Sequence, residues 1–167
     1  MFCEEFVKAE GARRAGTIAC AGSSCAGRLT AVADPYERFA RVYDRWQAGY
    51  PQPFSKAILP FYEREILRRG VPARSLADLA CGTGSFLVDW AARNGGWTLT
   101  GTDGSRAMLS VARGKLRKAK VPVRLIEQPL ERTALPAPVG AAVCVFDSVN
   151  HLTRLPDLRR FFRAAAR

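Results

Sequence analysis

The sequence predicts an α/β fold in which a doubly wound parallel sheet is preceded by helices. First, short apolar segments alternate along the chain with segments of helical periodicity, which is the order of parallel strands joined by crossover helices. Second, the motif Gly82-Thr83-Gly84 follows the first of these apolar segments, and Asp103 ends the next. Third, the 167 residues, of which 48% are hydrophobic and 25% charged, are enough for one globular domain.

The segment 33–72 is predicted to form helices that precede the sheet and cover it as a lid. Asp34 is suited to cap the first helix, with Pro35 in its first turn, and aromatic residues then recur at helical spacing. The motif AGYPQPF (residues 48–54) interrupts this helix with glycine and proline, and a second helix follows. That helix is predicted to end at Gly70, because glycine is favoured just after a helix.

The remaining chain, residues 73–167, is predicted to alternate strands and helices. Strands are predicted at residues 75–80, 97–103, 121–128 and 140–148, and helices at residues 85–95, 105–120 and 155–167. The last strand, GAAVCVFDS, is continuously apolar, as expected of a strand covered on both faces. The expected sheet therefore has about four parallel strands with flanking helices.

Residues 1–32 differ in composition from the rest of the chain. They are rich in Gly, Ala, Ser and Cys and have no periodic apolar face, which predicts an irregular or disordered leader outside the domain of residues 33–167. The chain has five cysteines without a C-x-x-C pair, and one histidine, so no metal site is expected. Reduced cysteines, and the lack of an apolar stretch of membrane-spanning length, favour a cytoplasmic protein.

The formal net charge is +11, from 26 basic and 15 acidic residues spread along the chain. Such a charge is compatible with nucleic-acid or other anionic partners but does not identify one. The most basic run, RGKLRKAK (residues 113–120), has no interleaved aromatic residues for base stacking. It is therefore interpreted as the solvated face of a helix, and a nucleic-acid partner is not favoured.

The turn after the first predicted strand is a candidate ligand site. Gly82 and Gly84 allow a tight turn and a close approach of a ligand to the backbone, and the unpaired N–H groups of the following helix point to the same place. Asp78 can meet a cationic group there, and Asp103 can accept hydrogen bonds from both hydroxyls of a ribose. A nicotinamide-dependent oxidoreductase would have a third glycine at the position of Leu87, so that class is disfavoured.

Three motifs, DLACGTGSF (residues 78–86), GTDGSRAML (residues 101–109) and FDSVNHL (residues 146–152), resemble those of the class I S-adenosylmethionine-dependent methyltransferases. They occur in the family's order and at similar spacing, and the resemblance covers roughly residues 34–167. It implies a Rossmann-like fold, S-adenosylmethionine as the cofactor, and methyl transfer to an acceptor.

The resemblance also implies roles for individual residues. The methionine part of the cofactor would be held by Asp78, Ala80, Cys81, Gly82, Thr83 and Gly84. The ribose would be bound by Asp103, and the adenine would be flanked by Gly104, Ser105, Met108 and Leu130. The segment that starts at Phe146 would face both cofactor and acceptor, with Asp147 and His151 as candidate bases for an acceptor that starts protonated. Tyr36 and Tyr43, on the leading helix, would cover the site.

The sequence departs from the family pattern at two positions. The acid that usually bonds the adenine amino group is replaced by Pro129, with Gln128 or Glu131 as substitutes, and an acid at the start of the fourth strand is replaced by Gly140. One lost hydrogen bond would weaken the affinity by about 1–2 kcal/mol. These departures keep an alternative open, namely a degenerate cofactor-binding module that has lost turnover.

The family's sheet normally has seven strands in the order 3-2-1-4-5-7-6, whereas this sequence ends after the helix that follows the fourth strand. A C-terminally truncated chain with an apolar strand at a free edge is therefore expected. A neighbouring strand of about five apolar residues would contribute roughly 8–15 kcal/mol of burial, which is comparable with a domain's net stability of roughly 5–15 kcal/mol. We expect a marginal or association-prone domain that methylates an unidentified acceptor, with a small molecule as the default.

Overall fold

The sheet consists of four parallel strands: β1 (Ser75–Leu79), β2 (Thr98–Asp103), β3 (Val123–Glu127) and β4 (Ala141–Val143). The computed structural model describes residues 34–49, 54–71 and 73–166, and within them the strands form one sheet in the order β3-β2-β1-β4. The leader predicted for residues 1–32, with Cys3, Cys20 and Cys25, lies outside the described residues.

Helices precede the sheet and connect its strands. In the described part of the chain they are α1 (Ala40–Gln47), α2 (Phe54–Arg68), α3 (Ser85–Arg93), α4 (Arg106–Lys118) and α5 (Leu155–Ala165), with 3₁₀ turns at Leu130–Arg132 and Ser148–His151. This order confirms the predicted α/β, Rossmann-like class with helices before the sheet. Among the same residues, no helix has the length and apolar character needed to cross a membrane.

The direction in which the sheet grows reverses between β1 and β4. Leu76 of β1 pairs with Leu99 of β2 on one side and with Ala141 of β4 on the other, both in parallel. The chain therefore adds β2 and β3 on one side before it returns to the other side of β1. At such a reversal the loops after β1 and β4 lead away from each other, which leaves a crevice for ligands at the carboxyl ends of the strands.

Helices bury the sheet on both faces. Alternation along β1 sends Leu76 to one face and Leu79 to the other. The first face packs against buried residues of α2, α3 and α4, namely Leu59, Ile66, Phe86, Leu87, Trp90, Leu109, Ala112 and Leu116. The second face packs against Phe161 of α5. Burial of each large apolar side chain contributes about 1.5–3 kcal/mol, so this packing fixes the amino ends of α3 and α4 beside the crevice.

The first helix begins later than the sequence predicts. α1 starts at Ala40, and residues 35–39 form turns. Asp34 caps this turn, because its Oδ1 accepts a hydrogen bond from the backbone N–H of Tyr36 at 2.9 Å, while its Oδ2 accepts one from the N–H of Ala107 at 3.3 Å. The predicted cap at Asp34 is therefore present, but on the turn of residues 35–39, whereas the α-helix itself begins only at Ala40.

The fourth strand is shorter than the predicted range of 140–148. Its ladder with β1 starts at Leu76↔Ala141 and ends at Asp78↔Val143. Phe146 has a φ of +63°, a left-handed conformation that is incompatible with a strand. The strand ends at Val143, but the segment after it remains apolar because residues such as Val145 are buried in the core.

Candidate functional site

The turn that follows β1 is wound through the left-handed region of backbone conformation. We call residues 80–84 the glycine elbow. Its φ angles are +66° at Ala80, +54° at Gly82 and +75° at Gly84. A residue with a side chain, such as Ala80, is held in this region at a cost of order 1–3 kcal/mol, and such residues concentrate at functional sites.

The two glycines of the elbow have different surroundings. A Cβ placed on Gly82 would have no other atom within 4 Å, whereas a Cβ on Gly84 would lie 3.3 Å from the Cβ of Ala112 and 3.6 Å from the Cδ1 of Leu116. Gly82 therefore leaves open space beside the backbone, which a ligand can occupy. Gly84 instead allows α4 to pack closely against the elbow.

Asp103, at the end of β2, joins the elbow to the next loop. Its Oδ2 accepts a hydrogen bond from the backbone N–H of Gly82 at 2.8 Å, and its Oδ1 accepts one from the N–H of Ser105 at 2.8 Å. Each carboxylate oxygen has a further lone pair, so the group can also accept hydrogen bonds from hydroxyls. Burial raises the pKa of Asp103, while the two backbone hydrogen bonds oppose this shift.

Asp78 is a buried carboxyl group near the carboxyl end of β1. Its exposed fraction is 0%, and neither of its side-chain oxygens has a hydrogen-bond partner among the described residues. Burial, and secondly the charge of Asp103, raise the pKa of Asp78 well above its ordinary value. A cationic group at this carboxyl would offset the cost of burying it and would favour its ionised form.

Three of the residues that the resemblance assigns to the adenine, Gly104, Ser105 and Met108, lie around the amino end of α4, whereas the fourth, Leu130, packs against the cluster that contains Phe161. Ser105 caps this helix, since its Oγ accepts a hydrogen bond from the N–H of Met108 at 3.1 Å and donates one to Oδ2 of Asp34 at 2.6 Å. Met108 is buried, whereas Gly104 is exposed. A Cβ on Gly104 would lie 3.5 Å from the Cα of Pro129, so the loops after β2 and β3 meet here.

The loop after β3 contains the first departure from the family pattern. Pro129 precedes the 3₁₀ turn in which Leu130 and Glu131 are half-buried. Gln128 accepts a hydrogen bond from the N–H of Ala134 at 3.2 Å, and its buried Nε2 has no partner in the described part of the chain. This amide nitrogen is therefore a polar group that a nearby ligand could satisfy.

The second departure, at Gly140, has a steric cause. Gly140 precedes β4 and donates its N–H to the Oγ of Ser75 at 2.8 Å. A Cβ on Gly140 would overlap the carbonyl oxygen of Ala73. An acidic side chain therefore cannot be accommodated at this position unless the backbone moves.

The loop after β4 brings the candidate bases to the same edge of the sheet. Phe146 and Asp147 are exposed, and His151 ends the following 3₁₀ turn. The Nε2 of His151 lies 3.3 Å from the hydroxyl oxygen of Tyr36, with the two ring centroids 6.5 Å apart. A phenol and an imidazole from distant parts of the sequence therefore face each other beside the crevice.

Residues 34–47, which we call the lid segment, are bonded to the loops after three strands. Asp34 is bonded to Ser105 in the loop after β2, and Tyr36 lies within hydrogen-bond distance of His151 in the loop after β4. A third contact joins the lid segment to the elbow, where Thr83 donates its hydroxyl to Oδ1 of Asp44 at 2.7 Å. Tyr43 of the same segment is half-buried, and this burial raises its pKa to about 12.

A polar cluster that the sequence analysis missed lies against the elbow. In this cluster the Nζ of Lys115 lies 2.7 Å from Oδ2 of Asp44 and 2.7 Å from the Oγ of Ser85. The predicted solvated face is therefore wrong for Lys115, whose side chain is only 24% exposed. Its position three residues after buried Ala112 is the sequence signal for this, because that spacing places both residues on one helix face.

The residues around the crevice fit the cofactor that the resemblance implies. S-adenosylmethionine has an ammonium group at its amino-acid end and a ribose with two hydroxyls. Asp78 offers an unpartnered buried carboxyl to the cation, Asp103 has lone pairs for the hydroxyls, and Gly82 leaves the backbone open on one side. Within the described residues, no group of three or more His, Cys, Asp or Glu side chains is arranged to hold a metal ion.

Sequence comparison places the chain among proteins of one family. The family model described as a methyltransferase domain matches residues 76–167. YqeM of Bacillus subtilis (strain 168), a protein named provisionally as a methyltransferase, is 31% identical over 134 residues, which are 79% of this chain and 50% of that protein. The 16S rRNA (guanine(1405)-N(7))-methyltransferase of Micromonospora olivasterospora is 37% identical over 106 residues, covering 64% of this chain and 35% of that protein.

Structural comparison gives the same result. CalS10, an amino pentose methyltransferase from Micromonospora echinaspora solved with S-adenosylmethionine bound, matches with a TM-score of 0.65 and 26% sequence identity. The match covers 75% of this chain and 50% of that one. The chain thus spans about half the length of the curated Bacillus relative and about half of the CalS10 chain.

Proposed function

Since this chain belongs to the family of S-adenosylmethionine-dependent methyltransferase domains, we propose that it binds S-adenosylmethionine at the glycine elbow and transfers a methyl group to a small molecule. The observation that carries this proposal is the position of Asp103, which accepts a hydrogen bond from Gly82 of the elbow at 2.8 Å. In this kind of fold, a carboxylate at the end of the second strand that lies against the turn after the first strand can bind a ribose.

The methionine end of the cofactor is assigned to Asp78 and the elbow. The buried carboxyl of Asp78 has no partner among the described residues, so an ammonium group would satisfy it. The open side of Gly82 lets the ligand lie against the backbone. The adenine is assigned to the neighbourhood of Ser105 and Leu130.

Bound S-adenosylmethionine supplies an electrophilic methyl group on a sulfonium sulfur. The task of the chain is then to hold the acceptor in line with that methyl group, and good alignment is worth an effective molarity of about 10⁵–10⁸ M. A proton released by the acceptor is taken up at Nε2 of His151, the atom that faces the Tyr36 hydroxyl, or by the exposed carboxylate of Asp147.

Amino sugars are the first acceptor class to test. CalS10, whose fold this chain shares, is an amino pentose methyltransferase. The pair Tyr36–His151 supports such an acceptor, because a phenol hydroxyl and an imidazole can bond a sugar's hydroxyl and amino groups.

A nucleic-acid acceptor is the second candidate. The similarity to an rRNA methyltransferase favours it. In the described part of the chain, one group of exposed basic residues on α4, in the turn after it and on β3 makes no ion pair: Arg113, Arg117, Lys118, Lys120 and Arg124. Binding of phosphates by these residues would weaken steeply as the salt concentration rises.

Calorimetric titration of the chain with S-adenosylmethionine, S-adenosylhomocysteine and NAD tests the cofactor assignment. We expect the first two to bind and NAD not to bind. The variant Asp103→Asn should weaken both affinities by about ten-fold or more, since an amide replaces one acceptor oxygen by a donor. The control Asp157→Asn, at an exposed ion pair with Arg160 on α5, should bind like the wild type. Binding of NAD, or an unchanged affinity in Asp103→Asn, would contradict the assignment.

A transfer assay then identifies the acceptor class. The chain is incubated with cofactor labelled on the methyl group and with amino sugars or RNA, and the label is followed. Label in the sugars supports the proposal, whereas label in RNA that disappears at high salt supports the second candidate. Cofactor binding without transfer to either class would favour a degenerate module.

A further inference from the structure

The lid segment is tied to the glycine elbow through a compact ionic network. The Nζ of Lys115 lies 2.7 Å from Oδ2 of Asp44, 2.7 Å from the Oγ of Ser85 and 3.0 Å from the Oγ1 of Thr83. The same Oγ1 of Thr83 donates to Oδ1 of Asp44 at 2.7 Å. All three ammonium hydrogens therefore have acceptors, and the network joins α1, the elbow and α4.

This network differs from an ordinary surface ion pair. Thr83 is 1% exposed, the Lys115 side chain is 24% exposed and the Asp44 side chain is 43% exposed, so solvent reaches the acid but is largely kept from the bonds between Lys115 and Thr83. Loss of one member would leave buried polar atoms without partners, which costs more than the net value of the bond itself. The network therefore lowers the free energy of the arrangement in which the lid segment is bonded to the elbow.

The location of Thr83 connects this network to the ligand site. Thr83 stands between Gly82, whose N–H is bonded to Asp103, and Gly84, which packs against α4. A displacement of the Thr83 side chain would therefore move the backbone on both sides of it. The Thr83 hydroxyl is already hydrogen-bonded to Asp44. Thr83 therefore influences the ligand site through the backbone conformation of the elbow.

We infer that Asp44 and Lys115 are positioning residues that hold the lid segment on the elbow and keep the elbow in its ligand-binding shape. The inference rests on the proposed function, since the ligand is S-adenosylmethionine. Neither residue needs to touch the cofactor. Their removal should weaken cofactor binding by about five- to fifty-fold, which corresponds to about 1–2.3 kcal/mol.

The test compares Asp44→Asn and Lys115→Met with the matched control Glu63→Gln. Glu63 forms a short ion pair with Arg93, 2.6 Å long, that joins α2 and α3 and does not contact the elbow. We expect the first two variants to bind S-adenosylmethionine and S-adenosylhomocysteine more weakly, and the control to bind like the wild type. The double variant should be no weaker than the weaker single variant, because both changes disrupt one network.

Hydrogen exchange of the ligand-free chain provides a readout that does not depend on the cofactor. Amide protection over residues 34–47 and 80–85 should fall by about ten-fold or more in Asp44→Asn but not in Glu63→Gln. If Asp44→Asn or Lys115→Met does not fold, Thr83→Val, which removes only the hydroxyl from the network, should show the same loss of protection.

The outcomes separate this inference from the proposed function. A wild type that binds no S-adenosylmethionine refutes the proposed function, while the exchange pattern still decides whether the network holds the lid segment. A wild type that binds, together with variants that bind and exchange as it does, refutes the positioning role alone.

Discussion

Replacing the two elbow glycines by alanine, one at a time, should separate ligand binding from folding. Both glycines have a positive φ, +54° at Gly82 and +75° at Gly84. The left-handed conformation costs an alanine about 1–2 kcal/mol, and the reduced entropy of the unfolded chain offsets about 0.4–1 kcal/mol of this. Backbone strain alone should therefore lower the unfolding free energy of each variant by about 1 kcal/mol.

The surroundings of the added methyl group then distinguish the two variants. In Gly84→Ala it would lie 3.3 Å from the Cβ of Ala112, so α4 has to shift. Overpacking of this kind costs about 1–3 kcal/mol, which gives a total of about 2–4 kcal/mol for Gly84→Ala. In Gly82→Ala the methyl group enters the open space reserved for the ligand, and the affinity for S-adenosylmethionine should fall by about ten-fold or more.

Urea unfolding and calorimetry measure the two effects. With an m-value of about 1–3 kcal/mol/M, the midpoint for Gly84→Ala should fall by about 0.7 M or more. The control Gly114→Ala, at an exposed and uncrowded position of α4, should be more stable than the wild type by about 0.5–1 kcal/mol. Equal losses of stability in the two elbow variants, or full affinity in Gly82→Ala, would refute this reasoning.

Three further variants follow from the buried polar and crowded positions. Burial raises the pKa of Asp78 above its ordinary value of 3.8, so the folded chain keeps a proton that the unfolded chain loses, and stability falls as the pH rises through this interval. Urea unfolding should show that Asp78→Asn lacks this fall, and calorimetry should show weaker cofactor binding. Gly140→Asp, which restores the family's acid, should lower stability in thermal unfolding by about 1–3 kcal/mol without raising the affinity, because its Cβ overlaps the Ala73 carbonyl. Ser105→Ala should lower the unfolding free energy by about 1 kcal/mol, because the N–H of Met108 loses its cap.

Each of these expectations can be contradicted directly. An Asp78→Asn variant whose stability depends on pH as the wild type does would show that this carboxyl does not keep its proton. A tighter cofactor complex in Gly140→Asp would show that the backbone near Ala73 moves at little cost. Wild-type stability in Ser105→Ala would show that the amino end of α4 needs no cap.

The alternation of apolar and helical segments was sufficient to predict the α/β class, and the glycine motif located the turn after β1. Both depend on residues close together in the sequence. The ion pair of Asp44 and Lys115 could not be predicted in this way, because its members are 71 residues apart and an acid on a short helix has no local signal. The end of β4 could not be predicted either, since a buried residue such as Val145 has the same apolar character whether it pairs in a sheet or packs in a core.

The carboxyl of Asp78, which has no partner among the residues that the structure describes, has a consequence for catalytic turnover under the proposed function. The amino group that it would meet is the same in the methyl donor and in the spent donor, S-adenosylhomocysteine. The affinity that Asp78 contributes is therefore equal before and after the reaction, so it lowers the KM without accelerating the chemical step. The spent donor is held as firmly by this contact as the fresh one, and sustained activity requires that another reaction consume it.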